Sequence, residues 1–69
     1  MERYRYYFDA GWHFSEYAFI SPTTYRTKRQ ALDAAYESKK QLIQLGVDDA
    51  KDFTPMVISD SDLALAQNR

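Results

Sequence analysis

His13 is the one histidine of the chain, and with cysteine absent it is the only side chain whose ordinary titration lies near neutrality. As a general base it would need a partner within hydrogen-bond reach, and as a metal ligand it would need further ligands converging on the same point. Its neighbours Trp12 and Phe14 supply neither, so His13 reads as a half-exposed strand histidine. The run Asp48-Asp49-Ala50-Lys51-Asp52 has the carboxylate density of a magnesium motif. Such motifs work beside a deep cavity that holds an organic substrate, and 69 residues leave little room for one. A solvated loop, with acids near a helical start, is the simpler reading. Asp60-Ser61-Asp62 lacks the glycine and the distal glutamate of a calcium loop, and Gly11 and Gly46 are too isolated to cradle a phosphate. Without cysteine there are no disulfides, thiolate nucleophiles or cysteine metal sites. The expectation is a protein that is not an enzyme, with no catalytic residues, no cofactor and no metal.

What remains is the chemistry of recognition. Between Arg3 and Ile20 the chain concentrates Tyr4, Tyr6, Tyr7, Phe8, Trp12, Phe14, Tyr17 and Phe19. Alternating aromatics read as strands, and Asp9-Ala10-Gly11 interrupts them with turn chemistry. A two-residue loop, Ala10-Gly11, would mix polar and apolar residues on both faces of the hairpin. A three-residue loop with Gly11 left-handed at a G1 bulge sets Phe8 opposite Trp12 and Tyr6 opposite Phe14. That register gathers Tyr4, Tyr6, Phe8, Trp12, Phe14, Ala18 and Ile20 on one face, and is preferred because a one-residue slip exchanges the faces. Glu16 then falls awkwardly on the buried face, opposite Tyr4. The other face carries Arg3, Arg5, Tyr7, His13, Ser15, Tyr17 and Phe19, and a chain this small has nothing left to cover it.

Two readings of that face stand side by side. One is a solvated sheet in which arginine stems pack across tyrosine rings. The other is a partner-binding surface of Arg3, Arg5, Tyr7, His13, Tyr17 and Phe19, since exposed tyrosine and arginine are enriched at binding hot spots.

The elements that must position these residues follow from punctuation and period. The hairpin spans 2–20 and is broken by Ser21-Pro22-Thr23-Thr24. Thr27 with Gln30 three residues later is a capping-box pattern that opens a helix over 27–45. Ala31, Leu32, Ala35, Leu42 and Leu45 form its apolar stripe, the two alanines allowing close approach to a sheet bulky with rings. Gly46-Val47 has the pattern of a Schellman ending. A third strand over 54–59 is placed at an edge by Pro55, and Ser59 or Ser61 caps a last turn or two. The expected fold is α+β: a single small ββαβ domain over 1–69, with a three-stranded antiparallel sheet of order 2-1-3, one helix on one face and a short C-terminal helical turn. By surface-to-volume scaling a chain of this length buries only about 60% of its unfolded surface, so a homodimer would help stabilise it.

The segment Tyr25-Arg26-Thr27-Lys28-Arg29-Gln30-Ala31, a Tyr-x-Thr-Lys-x-x-Ala opening of a helix after a hairpin, resembles the sheet-to-helix junction of the arm-type DNA-binding domains of tyrosine recombinases. It also resembles a family of small bacterial ββα proteins of unknown role. The first resemblance implies DNA binding, and a nucleic-acid reading of the residues themselves lays the sheet in a major groove or stacks bases on Tyr7, Tyr17 and Phe19, with Arg26, Lys28 and Arg29 on phosphates. Charge departs from it: those domains are strongly basic, whereas this chain has a formal net charge of -1. Bases outnumber acids up to Gln30 and acids outnumber bases after Ala31, so a basic patch and an acidic tail each offer a surface. No apolar run reaches membrane-spanning length and no leader pattern is present, which gives a cytoplasmic expectation. The function expected is a non-enzymatic protein-binding module, an inhibitor, adaptor or accessory protein of the kind phages and mobile elements encode. It would grip a larger protein partner through the Tyr/Arg sheet face or the acidic C-terminal surface. The alternative is a nucleic-acid-binding module using the Arg/Tyr face.

Overall fold

The computed structural model describes residues 1–11 and 16–68. In chain order they form β1 (Tyr4–Asp9), α1 (Lys28–Gln44), a 3₁₀ turn (Ala50–Asp52), β2 (Thr54–Ser59) and α2 (Asp60–Gln67). The strands pair antiparallel, with Tyr4 opposite Ser59, Tyr6 opposite Val57 and Phe8 opposite Pro55. The α+β class stands, but the expected three-stranded sheet of order 2-1-3 does not form: among the described residues the sheet is two-stranded.

The missing strand has a visible physical cause. The chain does return along β1, through isolated bridges at Phe8 with Ala18 and Tyr4 with Tyr25. Phe8 donates its N–H to the Ala18 carbonyl at 3.0 Å, and Ser21 donates to the Tyr6 carbonyl at 2.8 Å. Between those bridges β1 advances four steps and the returning segment seven, so residues loop out and no continuous ladder is possible. Ser21 is buried, its hydroxyl accepting the Thr23 N–H at 3.0 Å, and Pro22 sits on this turn. Upstream, Tyr17 and Phe19 hold φ of 59° and 53°, a left-handed conformation foreign to a strand. The tight hairpin register is therefore corrected: the residue bridged to Phe8 is Ala18. Glu16, expected on the buried face opposite Tyr4, is exposed. Trp12, His13, Phe14 and Ser15, and with them the expected Tyr6–Phe14 pairing, lie outside the described residues.

α1 starts at a capped end, the Thr27 hydroxyl accepting the Gln30 N–H at 3.1 Å. It ends in a Schellman motif: Gly46 at φ 80° donates to the Ile43 carbonyl, and Val47 donates to that of Leu42. Ala31 and Ala35 are fully buried where α1 lies against the sheet, so the absence of larger side chains sets the close approach. The core is Phe8, Ala35, Ala50 and Phe53, with Tyr6, Ala10, Leu42 and Val47 packed against it. Leu45 is exposed rather than part of the stripe, because it is the C-cap residue beyond the last full turn. α2 begins without a linker, the Ser59 hydroxyl accepting the Asp62 N–H at 3.1 Å. No helix among the described residues is long and apolar enough to cross a membrane.

Candidate interaction site

Side-chain alternation divides β1 into two faces. Tyr6 and Phe8 point inward to α1 and the core, and Arg5, Tyr7 and Asp9 point outward. Cross-strand register adds Ile58, Met56 and Thr54 of β2 to the outward set. On that face the Tyr7 and Tyr17 rings meet edge-on, with centroids 4.9 Å apart and planes at 75°. The left-handed backbone at Tyr17 aims its ring there, since an extended residue at that place would not turn out of the returning segment in the same way. Met56, opposite Tyr7, is 37% exposed. Tyr7, Tyr17 and Met56 line a cleft of about 340 Å³, with Asp9, Gly11 and Glu16 at its rim.

The cleft is electronegative. Burial pushes the Tyr7 hydroxyl above its ordinary pKa, and Tyr17, Asp9 and Glu16 add repulsion against a tyrosinate. Asp9 is fixed by accepting the Gly11 N–H on Oδ1 at 3.0 Å, a local turn that Gly11 completes at φ 65°.

Of the sequence-expected set Arg3, Arg5, Tyr7, His13, Tyr17 and Phe19, Tyr7 and Tyr17 are the only described members that come together as an offered surface. Arg5 is a brace: Nη1 donates to the Ser21 carbonyl at 2.8 Å and Nε to Asp60 at 3.1 Å, tying the returning segment and α2 to β1. Arg3 does the same for Thr24, through its hydroxyl at 3.1 Å and its carbonyl at 3.4 Å. Phe19 leaves the face altogether and stacks on core Phe53 at 5.9 Å. His13 lies outside the described residues. Arg26, Lys28 and Arg29 gather at the start of α1, with the Lys28 ammonium 6.0 Å from the Tyr4 ring, on the side of the sheet away from the Tyr7–Tyr17 pair.

Met56, Asp9 and Glu16 escaped sequence reasoning as members of this cleft. Met56 was reachable only through the β1–β2 register, and Glu16 only once the short hairpin was given up. The acidic run has no site geometry: Asp48, Asp49, Lys51 and Asp52 are exposed around Ala50, which plugs the core. Among the described residues no three His, Asp or Glu side chains gather as a metal site would require. No family model, curated protein or solved structure matches the chain.

Proposed function

We propose that the chain is a non-enzymatic protein-binding module of the inhibitor, adaptor or accessory kind, which docks a larger cytoplasmic protein on the Tyr7–Tyr17–Met56 cleft. The observation that carries this reading is the interlocked pair of tyrosine rings on a sheet face with an exposed methionine beside it. Paired rings offer large contact area with few rotatable bonds left to freeze, which is what makes aromatic residues strong anchors. Asp9 and Glu16 at the rim select a basic partner. A lysine or arginine side chain entering there would meet two carboxylates and the faces of aromatic rings at once.

The nucleic-acid alternative draws less support. It needs arginines and stacking rings on one surface, whereas Arg3 and Arg5 are spent on Thr24, Ser21 and Asp60. The bases expected to hold phosphates, Arg26, Lys28 and Arg29, lie at the start of α1, where Lys28 approaches Tyr4 on the other side of the sheet.

The test is a capture from source-cell lysate with nuclease-treated and untreated arms, followed by calorimetry of the purified partner against wild type, Tyr7→Ala and Tyr17→Ala. Loss of a hot-spot anchor, at about 2 kcal/mol or more, weakens binding about 30-fold. A partner that binds both variants as tightly as wild type refutes the cleft. Recovery of proteins only with intact nucleic acid, with affinity falling steeply in salt, replaces the reading by the alternative.

A further inference from the structure

Among the described residues, the outer edge of β2 is a backbone surface without a partner. On β1 the even-numbered residues turn their peptide groups toward the returning segment: Tyr4 exchanges hydrogen bonds with Tyr25, Tyr6 accepts from Ser21 and Phe8 donates to Ala18. Alternation then assigns Arg5, Tyr7 and Asp9 to the ladder with Ile58, Met56 and Thr54. The peptide groups of Pro55, Val57 and Ser59 must point away from β1, to the free edge. That edge presents, in order, the Pro55 carbonyl, the Val57 N–H and carbonyl, and the Ser59 N–H. The Ser59 carbonyl is committed elsewhere, because Ser59 is the N-cap of α2 and its carbonyl accepts the first helical bond.

We propose that this edge pairs with its own copy about a two-fold axis at Val57, making a four-stranded sheet β1-β2-β2-β1. The donors and acceptors match themselves under that operation. Val57 exchanges two bonds with the partner's Val57, and each Ser59 N–H donates to the partner's Pro55 carbonyl. The N–H that Pro55 lacks would have been asked of it only by the Ser59 carbonyl, which α2 already occupies. No group on the edge is orphaned, so the proline that ordinarily protects an edge does not oppose this particular pairing.

The side chains agree with the backbone. β2 reads Thr-Pro-Met-Val-Ile-Ser, with none of the charged residues that protect free edges in other sheets. Beside the edge runs a groove of about 670 Å³ between α1 and β2, with an apolar floor of Leu32, Pro55 and Val57. Its rim carries Lys28 and Arg29 one turn before Asp33, so a second α1 running antiparallel sets unlike charges against each other. A two-stranded sheet on one helix is a minimal support for a domain, and the pairing doubles the sheet without altering either fold. It is independent of the Tyr7–Tyr17 cleft, which lies on the outward face and stays open in the dimer.

The experiment is sedimentation equilibrium on the synthetic full chain with and without Val57→N-methylvaline, joined to amide hydrogen exchange. The methyl group removes only an edge donor and leaves the β1–β2 ladder intact. The expected species is a dimer of twice the 8.1 kDa chain, its dissociation constant raised about 30-fold or more by the two lost bonds. In the unmodified protein the Val57 and Ser59 amides should exchange more slowly as concentration rises, a readout that holds even if the methylated chain folds poorly. A monomer at millimolar concentration overturns the proposal. So does a dimer in which the Val57 and Ser59 amides exchange as freely as the chain termini, or a monomer whose edge is protected only by an added extended peptide of another sequence.

Discussion

The left-handed backbone at Tyr17 makes an unusual stability order testable. Tyr17→Ala and Tyr17→Gly both delete the ring and its 4.9 Å contact with Tyr7, so their difference isolates the backbone. At φ 59° a residue with a Cβ is strained by about 1–2 kcal/mol, which alanine keeps and glycine relieves. Glycine costs about 0.4–1 kcal/mol through the extra freedom of its unfolded chain. The balance favours glycine by about 1 kcal/mol, which for a domain of this size is about 4–8 °C in Tm. At an ordinary strand position the order is reversed, with alanine ahead by about 0.5–1 kcal/mol. Thermal and urea unfolding of the two variants decides by sign alone. If Tyr17→Ala is the more stable, Tyr17 is extended in solution, the returning segment is a regular strand after all, and the geometry of the cleft falls with it. If glycine is the more stable, the chain tolerates a strained tyrosine where a relaxed residue would serve the fold, which is what a residue kept for binding looks like.

Gly46 and Tyr7 supply two further tests. Gly46→Ala places a Cβ at φ 80° with open space around it, so the cost is purely conformational, about 1 kcal/mol of unfolding free energy by urea titration, and Gly46→Asn should recover part of it. Tyr7 binds its proton more tightly folded than unfolded, so its contribution to stability is whole below the ordinary value of 10.0 and is lost as pH rises through its raised folded pKa. Unfolding free energy should therefore fall with pH above 10.0, less steeply in Tyr7→Phe, and equal slopes in the two proteins would show that Tyr7 is not responsible.

Where the amino-acid pattern was local, it read truly. Thr27 with Gln30 names a helix start, and Gly46 with Val47 a helix stop, because each motif satisfies its own orphan backbone groups within a few residues. Ser59 before Asp62 is another such cap. The expected hairpin does not form because side-chain faces alone do not fix its register: the same aromatic alternation fits a ladder that closes at Trp12 or one that returns by way of Ala18. What decided was the backbone at Tyr17 and Phe19, and no propensity foretells two aromatic residues with positive φ. The site inherited the error: Tyr17 and Phe19, two apart, share a face in any strand, yet here one ring reaches Tyr7 on the outside and the other Phe53 in the core.

That parting of the two rings also shapes the core. Phe8 and Phe53 are the only aromatic rings among the buried described residues, with centroids 6.1 Å apart, and Tyr6 beside Phe8 and Phe19 beside Phe53 extend that contact at the rim. A regular strand would have kept Phe19 on the same face as Tyr17, away from Phe53. Phe19 therefore reaches Phe53 where the returning segment leaves the geometry of a strand. With that strand gone, β1 is held on one side by bridges and by the Arg3 and Arg5 braces, and the sheet's one uncharged, regular edge is β2. The strain in the returning segment and the tyrosine cleft on one face are consequences of the same choice of where Phe19 goes, while the β2 edge at Val57 is open in either arrangement because the returning segment lies on the other side of β1.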